Sequence, residues 1–401
     1  MTYFPKNNRY SPFNELMTAE RESIFNFNPT WGVSQLREIT TTSGTGTAIT
    51  EDSGEIKLST GTATNNVVET KTRERGQYHS GITGECGIGM RIPTTPSGSQ
   101  DVKWGYFDDE NGFGFGYDST SPYVFYRKNS STTKIHQKDW NVDKMDGKGP
   151  SGLNLDAANG VIYQILFTWY GYGTIFWYVF LENDENDSEK DLFIVHQYTP
   201  SNEASVYDPN QPIKVRAENG SNTSSNLDIY VGGRQFNLVK GSFIPQSRQV
   251  SEIITSYSID GTQGKYTPVI ALRPKQTFGP SGRTNSIRVV TKNIEIQTAQ
   301  KIDFRLVTQA STNLSSSDWG DPTGWSSDET AVETVTADNT SFTASGGFVV
   351  ERGLLSGGDI SDQETNFDIV LGPNEEVVLE IGNRSGSSTE ITAIVKWEEQ
   401  W

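Results

Sequence analysis

The stretch Val161 to Leu181, VIYQILFTWYGYGTIFWYVFL, is 21 residues long and contains no charged side chain. Its length would allow a membrane-spanning helix, because about 20 apolar residues cross a bilayer core. Its composition favours a sheet instead, since aromatic and β-branched residues dominate and polar residues such as Gln164 interrupt it. The central Gly171-Tyr172-Gly173 readily adopts the positive φ angles of a tight turn. The stretch therefore predicts an antiparallel hairpin, with strands Val161 to Tyr170 and Thr174 to Leu181.

Neither face of this predicted hairpin is polar. Alternate residues of a strand point to opposite sides of the sheet. The first strand places on one face Val161, Tyr163, Ile165, Phe167 and Trp169, and on the other Ile162, Gln164, Leu166, Thr168 and Tyr170. On the return strand Phe176, Tyr178 and Phe180 oppose Ile175, Trp177, Val179 and Leu181. A sheet with one wet side alternates apolar and polar residues. We therefore expect a central hairpin that is covered on one side by a second sheet and on the other by another domain or subunit.

The composition of the whole chain is that of an all-β protein. Its 401 residues exceed what one core usually serves, which favours two domains. Glycine is abundant, with 39 residues, and so are aromatics, with 19 Phe, 16 Tyr and 9 Trp. Short apolar runs separated by turn residues are typical of antiparallel sandwiches. We predict an all-β fold with two antiparallel, jelly-roll-like β-sandwich domains and an extended N-terminal arm.

Changes in sequence pattern divide the chain into four segments. Residues 1–24 contain several aromatics and a short helix is expected over Asn14 to Ser23, so we predict an arm that docks on its own domain or on a neighbour. The remaining segments are a larger sandwich of jelly-roll or concanavalin-like type (25–242), a linker (243–249) and a smaller sandwich (250–401). The smaller sandwich is expected to end in an edge strand, Ala393 to Trp397.

Charge and chain chemistry exclude several functional classes. Lys and Arg total 33 against 50 Asp and Glu, a formal charge of -17, which disfavours a nucleic-acid partner. The N-terminus, MTYFPKNNRY, lacks a basic region followed by an apolar stretch, so neither a secretory signal nor membrane insertion is expected. We therefore expect the protein to be made in a cytoplasm. The single cysteine, Cys86, cannot form an intrachain disulfide and is expected to be a small buried hydrophobe.

The sequence contains no convincing metal or cofactor motif. His79, His136 and His196 are far apart and form no ligand-spaced pair. The acidic loops Asn141 to Gly147 and Asp184 to Asp191 raise the question of calcium, but neither completes a calcium loop. Solvated turns explain both loops better, because Asp and Asn commonly begin turns. We predict no metal site and no cofactor.

A catalytic site is likewise not predicted. Asp108, Asp109 and Glu110 directly precede Asn111-Gly112, the strongest local hairpin signal of the chain, so their expected role is to form a turn. Glycosidases use two carboxylates at a fixed separation, and no strand carries a Glu-x-Asp-x-Glu pattern. We therefore predict that the protein is not an enzyme and name no catalytic residue.

Several of these segments also carry a resemblance. The runs concerned are Lys103 to Phe115, Asp139 to Asp156, Gln164-Ile165, Trp169 to Gly173 and the C-terminal Val395 to Trp401. Together they resemble a motif series in structural proteins of tailed viruses of bacteria, archaea or aquatic hosts, well over about residues 85–220 and loosely elsewhere. The resemblance implies a virion component without fixing its position in the particle.

These observations lead to one principal functional prediction and one alternative. The principal prediction is a non-enzymatic structural protein on the virion surface, of head decoration, turret, collar or tail type, located in the virion. It would act by homo-oligomeric assembly, and its partners would be copies of itself and other virion proteins of the capsid, portal, collar or tail. The alternative is a receptor- or glycan-binding fibre or spike module with a host surface glycan as partner. That alternative predicts exposed aromatics in loops such as Trp319 to Trp325.

Overall fold

The computed structural model describes residues 20–182, 190–222, 225–240, 247–280, 282–358, 360–364 and 370–401. These residues form antiparallel β-sheets, and the helical elements among them are two three-residue 3-10 turns, Pro29–Trp31 and Gln137–Asp139. The all-β prediction is confirmed. The chain divides into two compact units, Met1–Phe243 and Ile244–Trp401. Within the described ranges, no helix has the length and apolar character needed to cross a bilayer.

The larger unit contains fifteen described strands. They are β1 (Glu20–Phe27), β2 (Glu38–Ser43), β3 (Ala48–Asp52), β4 (Glu55–Ser59), β5 (Val67–Thr72), β6 (Thr83–Arg91), β7 (Asp101–Phe107), β8 (Gly112–Asp118), β9 (Pro122–Lys128), β10 (Ser131–His136), β11 (Val161–Phe167), β12 (Ile175–Glu182), β13 (Lys190–Tyr198), β14 (Ile213–Glu218) and β15 (Asp228–Lys240).

These strands build two sheets that pack face to face. One sheet has the order β13-β12-β11-β6-β15-β4-β3, with β1 paired to β15, and the other has the order β10-β9-β8-β7-β14-β5-β2. Rings from both sheets fill the space between them. Trp104 of β7 lies 4.9 Å from Tyr163 of β11, and Phe113 of β8 lies 4.7 Å from Phe167, measured between ring centroids. Burial of such large aromatic surfaces is the main stabilising term of this sandwich.

The predicted hairpin is present, with a longer turn than expected. β11 and β12 pair antiparallel, and Phe167 stands opposite Ile175. The prediction that the first strand reaches Tyr170 was wrong, because that residue has a positive φ of 40° and Gly171 one of 80°. The N–H of Gly173 donates to the carbonyl of Trp169 at 2.7 Å and closes the turn. The hairpin is interior, since β6 flanks β11 and β13 flanks β12.

Two predicted boundaries need correction. β1 begins at Glu20, so the expected helix is wrong for residues 20–23, and residues 20–24 belong to a sheet and not to the arm. The reason is the pairing of β1 with β15, which places Phe25 and Phe27 in the core. Residues 1–19 lie outside the described residues. In the predicted linker, residues 247–249 are likewise part of a strand, and residues 243–246 lie outside the described residues.

The smaller unit contains fourteen described strands. They are β16 (Ser247–Ile259), β17 (Tyr266–Pro274), β18 (Thr277–Phe278), β19 (Arg283–Thr284), β20 (Arg288–Thr298), β21 (Ile302–Thr308), β22 (Ser311–Thr312), β23 (Val332–Thr336), β24 (Ala344–Ser345), β25 (Phe348–Leu355), β26 (Ile360–Glu364), β27 (Val370–Leu371), β28 (Val377–Asn383) and β29 (Thr389–Gln400).

Two five-stranded sheets form the sandwich of this unit. One has the order β16-β29-β20-β26, with β27 paired to β20, and the other has the order β23-β17-β28-β21-β25. The predicted C-terminal edge strand, Ala393 to Trp397, was wrong, because β29 lies between β16 and β20. Its alternate residues, including Val395 and Trp397, are fully buried. The strand that covers its outer edge, β16, contains four Ser among thirteen residues together with Arg248, Gln249 and Glu252, and therefore gives a weak strand signal.

Candidate functional site

The seven-stranded sheet of the larger unit carries charges on its outward side. Along β7 the core contains Val102, Trp104 and Tyr106, so Asp101 and Lys103 point away from it. The same alternation on β14 sends three charged side chains outward, namely Lys214, Arg216 and Glu218. On the neighbouring strands, Glu69 of β5 stands opposite Arg216 and Asp118 of β8 stands opposite Asp101, and β10, further along the sheet, adds Lys134 and His136. The result is a surface that we call the charged face.

The charged face is a continuous chain of ion pairs. Lys214 pairs with Glu69 at 2.9 Å and with Asp109 at 2.8 Å, and Arg216 pairs with Glu69 at 3.2 Å and with Glu218 at 3.1 Å. Lys103 pairs with Glu218 at 3.4 Å and with Asp101 at 2.5 Å, and Lys134 pairs with Asp101 at 3.0 Å and with Asp118 at 3.1 Å. At the end of the chain, His136 lies 3.1 Å from Asp118. Each carboxylate therefore has at least one cation beside it. Such pairing compensates the desolvation of buried charges.

The neighbouring donors and cations favour the ionised form of two of these carboxylates, Asp118 and Glu218. Burial alone would raise the pKa of Asp118, but the N–H of Thr120 and the side chains of Lys134 and His136 outweigh it and lower that pKa to about 2. Burial likewise acts to raise the pKa of Glu218, and its neighbouring cations again lower it overall. A glycosidase acid needs the opposite, a carboxyl group whose pKa is raised towards neutrality. Asp118 and Glu218 therefore lack the raised pKa of a general acid.

Three aromatic rings support the charged face from below. Phe107, Tyr123 and Phe125 form a small buried cluster separate from the main core. Glycines of β8 leave room for the rings, since a Cβ atom on Gly116 would lie 2.1 Å from the Tyr123 ring and one on Gly114 would lie 2.8 Å from the Phe125 ring. The alternating glycines and aromatics of Gly112 to Phe115, within the motif series noted above, are thus determinants of strand packing.

The outward face of β11, β12 and β13 is apolar. We call it the apolar strip, and it consists of Ile162, Leu166, Phe176, Tyr178, Phe180, Leu192 and Ile194. Ile162 is 49% exposed, and Leu166 and Tyr178 are buried although they point away from the core. The other four side chains are half-buried. The prediction that both hairpin faces are apolar holds, and polar side chains interrupt the outward rows at Gln164, opposite Tyr178, and on β13 at Gln197, opposite Phe176.

A groove of 560 Å³ continues the apolar strip across the same sheet. Cys86, Ile88 and Met90 of β6 point into the core, so Gly87 and Gly89 leave two neighbouring positions on the outward side of that strand without a side chain. Ile162 stands opposite Gly89 and lines the groove. Sequence reasoning missed this groove. The available signal was a Gly-x-Gly strand, which indicates a close approach of another chain or ligand.

The residues weighed as metal or reactive groups have ordinary structural roles. Burial lowers the pKa of His196 to about 4, and its Nδ1 accepts the N–H of Asn141 at 3.2 Å. Burial raises the pKa of the Cys86 thiol, and the prediction that this cysteine is a buried hydrophobe is confirmed. No group of three or more potential metal ligands occurs among the residues with described positions.

The acidic segments form turns through their own backbone. Asp143 accepts the N–H groups of Met145 at 2.9 Å and Ser151 at 2.8 Å. Its side chain is buried, so the expectation of a solvated turn was wrong for this residue. Asp108 accepts the N–H groups of Glu110 and Asn111, both at 2.8 Å, which confirms its role in a turn. Residues 183–189 of the second acidic loop lie outside the described residues.

The aromatic loop of the smaller unit differs from the expectation of the glycan-binding alternative. Trp319 is only 7% exposed and Trp325 is half-buried, so the loop does not present two exposed rings. A cavity of 380 Å³ nevertheless lies beside Trp319 and is also lined by Phe278, Asp321 and Asp328. The larger unit presents the most exposed aromatic of the described residues, Trp31.

No protein-family model matches the chain, and no curated protein matches it in sequence. Among solved structures, the chain is similar to a putative β-glucanase from Mycobacterium abscessus, with 9% identity over 54% of this chain and 100% of that chain and a TM-score of 0.35. It is also similar to arcelin-5, a lectin-like defence protein from Phaseolus vulgaris, with 10% identity over 53% and 97% of the chains and a TM-score of 0.33. Both likenesses concern the fold alone and carry no argument about activity.

Proposed function

We propose that the chain is a non-enzymatic structural protein of a virion surface, of head decoration, turret, collar or tail type, that assembles as a homo-oligomer. The observation that carries the proposal is the apolar strip with its adjoining groove. Ile162 of this strip is half exposed and four further apolar side chains are partly exposed, and exposed apolar patches mark interaction surfaces. A second copy of this chain is the proposed occupant. The motif series that resembles virion proteins also supports the assignment to a particle. In the structure this series forms β7, β8 and the turn that closes the central hairpin.

The charge of the chain favours self-association at this place. Each copy carries a formal charge of -17, so copies repel one another over most of their surface. The apolar strip is uncharged, and two copies that meet there keep their acidic surfaces apart.

The residues 1–19 precede β1, three strands from β11 in the same sheet. We propose that this arm docks on the same or a neighbouring copy.

The proposal is tested by replacing Ile162 with lysine. This side chain is half exposed, so a lysine can extend its ammonium group into solvent without disturbing the fold. We expect wild type to form a defined oligomer in sedimentation velocity, and Ile162→Lys to raise the dissociation constant by at least about tenfold, or about 1.4 kcal/mol. The matched control is Ile253→Lys, since Ile253 is 40% exposed on a strand of the smaller unit.

Two results would contradict the assembly surface. A monomeric wild type at all concentrations would remove the proposal, and an unchanged oligomer in Ile162→Lys would remove the role of the strip.

A chain that begins at Glu20 tests the arm separately. At the particle level, antibodies against the chain should label purified particles in electron micrographs, and the shortened chain should fail to be incorporated. Normal incorporation would exclude an anchoring role of the arm.

A second candidate function is glycan binding, and the cavity beside Trp319 favours it. An aromatic wall with several polar groups is the usual make-up of a small-molecule site. The test is a glycan array probed with the wild-type oligomer. Absence of any bound glycan would remove this candidate and leave the assembly proposal standing, because the apolar strip belongs to the other unit.

A further inference from the structure

The groove beside the apolar strip crosses the outward side of β11, β6, β15 and β1. Ile162 of β11 lines one end of it, and Phe27 of β1 lines the other end together with Pro29, which follows that strand. Between them, Gly87 and Gly89 of β6 leave backbone that a flat ring can approach closely. The volume of 560 Å³ lies in the range that holds a drug-sized ligand, about 300–1,000 Å³, so one indole ring fits.

The described residues that line this groove present no exposed charge. Arg234 is ionisable, but its side chain is 1% exposed and pairs with Glu38 of the other sheet. An ion of either sign would therefore find no counter-charge in the lining. Asn26 and Gln235 are exposed, and their amide groups can accept a hydrogen bond from a bound group. The groove thus fits a neutral and mostly apolar group that carries few polar atoms.

A tryptophan that meets this description is held beside the groove. The 3-10 turn Pro29–Trp31 begins at the groove wall and ends in Trp31, which is 92% exposed. Oδ1 of Asn28 accepts the N–H of Thr30 at 3.0 Å and fixes the start of the turn. The carbonyl of Pro29 accepts the N–H of Gly32 at 2.8 Å and fixes its end. A ring on such a rigid turn loses little conformational entropy on binding, and tryptophan is enriched among the residues that anchor interfaces.

The tryptophan and the groove are adjacent parts of one surface, and this arrangement is self-complementary. Since Trp31 is almost fully exposed, it does not fill the groove of its own copy. A two-fold axis through the rim at Pro29 places Trp31 of each copy over the groove of the other, so that each contact is made twice. A contact between an indole ring and an uncharged groove also adds no repulsion between copies that each carry a formal charge of -17.

We propose that Trp31 of a second copy docks in the groove over Gly87 and Gly89, and that the exchange is reciprocal. This inference rests on the assembly surface proposed above and identifies a residue that the partner copy contributes to it. Ile162 lies where the groove joins the apolar strip, so a partner that docks its tryptophan also covers that side chain.

Two substitutions in the full-length chain test the contact from its two sides, with sedimentation velocity as the measurement. Trp31→Ala removes the ring, and we expect the dissociation constant to rise at least about 100-fold, because one anchor is lost in each copy. Gly89→Leu fills the groove, and we expect a rise of at least about tenfold. The fold accepts this leucine, since the φ of Gly89 lies outside the left-handed region and a Cβ atom there would lie 3.7 Å from Cα of Gly232. The matched control is Tyr172→Ala, which removes another exposed ring of the same unit and should change the dissociation constant less than about twofold.

A mixture of the two variants tests whether the exchange is reciprocal. In a mixed pair, Trp31 of the Gly89→Leu chain meets the open groove of the Trp31→Ala chain, so one of the two contacts is restored. We expect the mixed pair to bind at least about tenfold more tightly than either variant binds itself, measured with one variant fluorescently labelled. A loss that came only from a disturbed fold would not be rescued in this way, and a mixed pair no tighter than the variants would overturn the inference.

The remaining outcomes separate this inference from the assembly proposal. If Trp31→Ala keeps the wild-type dissociation constant while Ile162→Lys raises it, the tryptophan contact is overturned and the assembly surface stands. If Gly89→Leu weakens assembly and Trp31→Ala does not, another segment fills the groove and the inference again fails. A Trp31→Ala chain that loses glycan binding on the array at an unchanged dissociation constant would assign the ring to a glycan and overturn docking on a second copy. A monomeric wild type would remove both proposals together.

Discussion

Glu38 and Arg234 form an ion pair inside the larger unit, and this pair shows how costly charges are tolerated in its core. Glu38 lies on β2 of the seven-stranded sheet and Arg234 on β15 of the eight-stranded sheet, and both side chains are almost fully buried. Burial lowers the pKa of Arg234, and the carboxylate of Glu38 opposes this effect. A charge removed from water in this way depends on its partner.

At the residue scale, we expect Glu38→Gln to lower the free energy of unfolding by about 3–5 kcal/mol, because it leaves the guanidinium of Arg234 buried without a counter-charge. The matched control is Glu55→Gln, which breaks the pair of Glu55 with Arg91, at 2.6 Å and partly exposed to solvent. That change should cost about 1 kcal/mol or less. Urea denaturation of both variants measures the difference, and equal small losses would show that the buried pair is not essential.

At the element scale, the strands β7, β8 and β9 depend on glycines that admit aromatic rings. A Cβ atom on Gly114 would lie 2.3 Å from the carbonyl oxygen of Trp104, which is a backbone contact that cannot move away. We expect Gly114→Ala to destabilise the larger unit by about 3 kcal/mol through overpacking. Gly160→Ala is the control, because nothing lies within 4 Å of its added Cβ atom.

Thermal unfolding followed by near-ultraviolet circular dichroism measures the effect on both glycine variants. A drop in the melting temperature of Gly114→Ala beside an unchanged Gly160→Ala would agree with the packing of rings on glycines. Equal behaviour of the two variants would show that β8 moves to accept the methyl group. The element scale is also where the sequence was most informative, since the uncharged run from Val161 to Leu181 correctly predicted β11 and β12.

For the whole molecule, the sequence predicted the fold class well and the surfaces poorly, for a physical reason. Periodicity within a strand shows which residues share a face, and it correctly indicated two apolar faces for the hairpin. The charged face joins Glu69, Asp109 and Lys214, which come from distant parts of the chain and meet only through strand order. The burial of Trp319 likewise depends on bonds from its neighbour to β23. No local pattern contains either fact.

The net charge of the molecule leads to a prediction about assembly. Copies that carry -17 each repel one another, and salt screens this repulsion, with a Debye length that falls from about 30 Å at 0.01 M to about 8 Å at 0.15 M. Contacts through the uncharged apolar strip are not weakened by that screening. We therefore expect the dissociation constant of the oligomer to fall at least about fivefold between these salt concentrations, measured by sedimentation equilibrium. Ile162→Lys should keep a dissociation constant at least about tenfold above that of wild type at both. An oligomer that instead dissociates as salt is added would locate the interface on paired charges, such as those of the charged face, and not on the apolar strip.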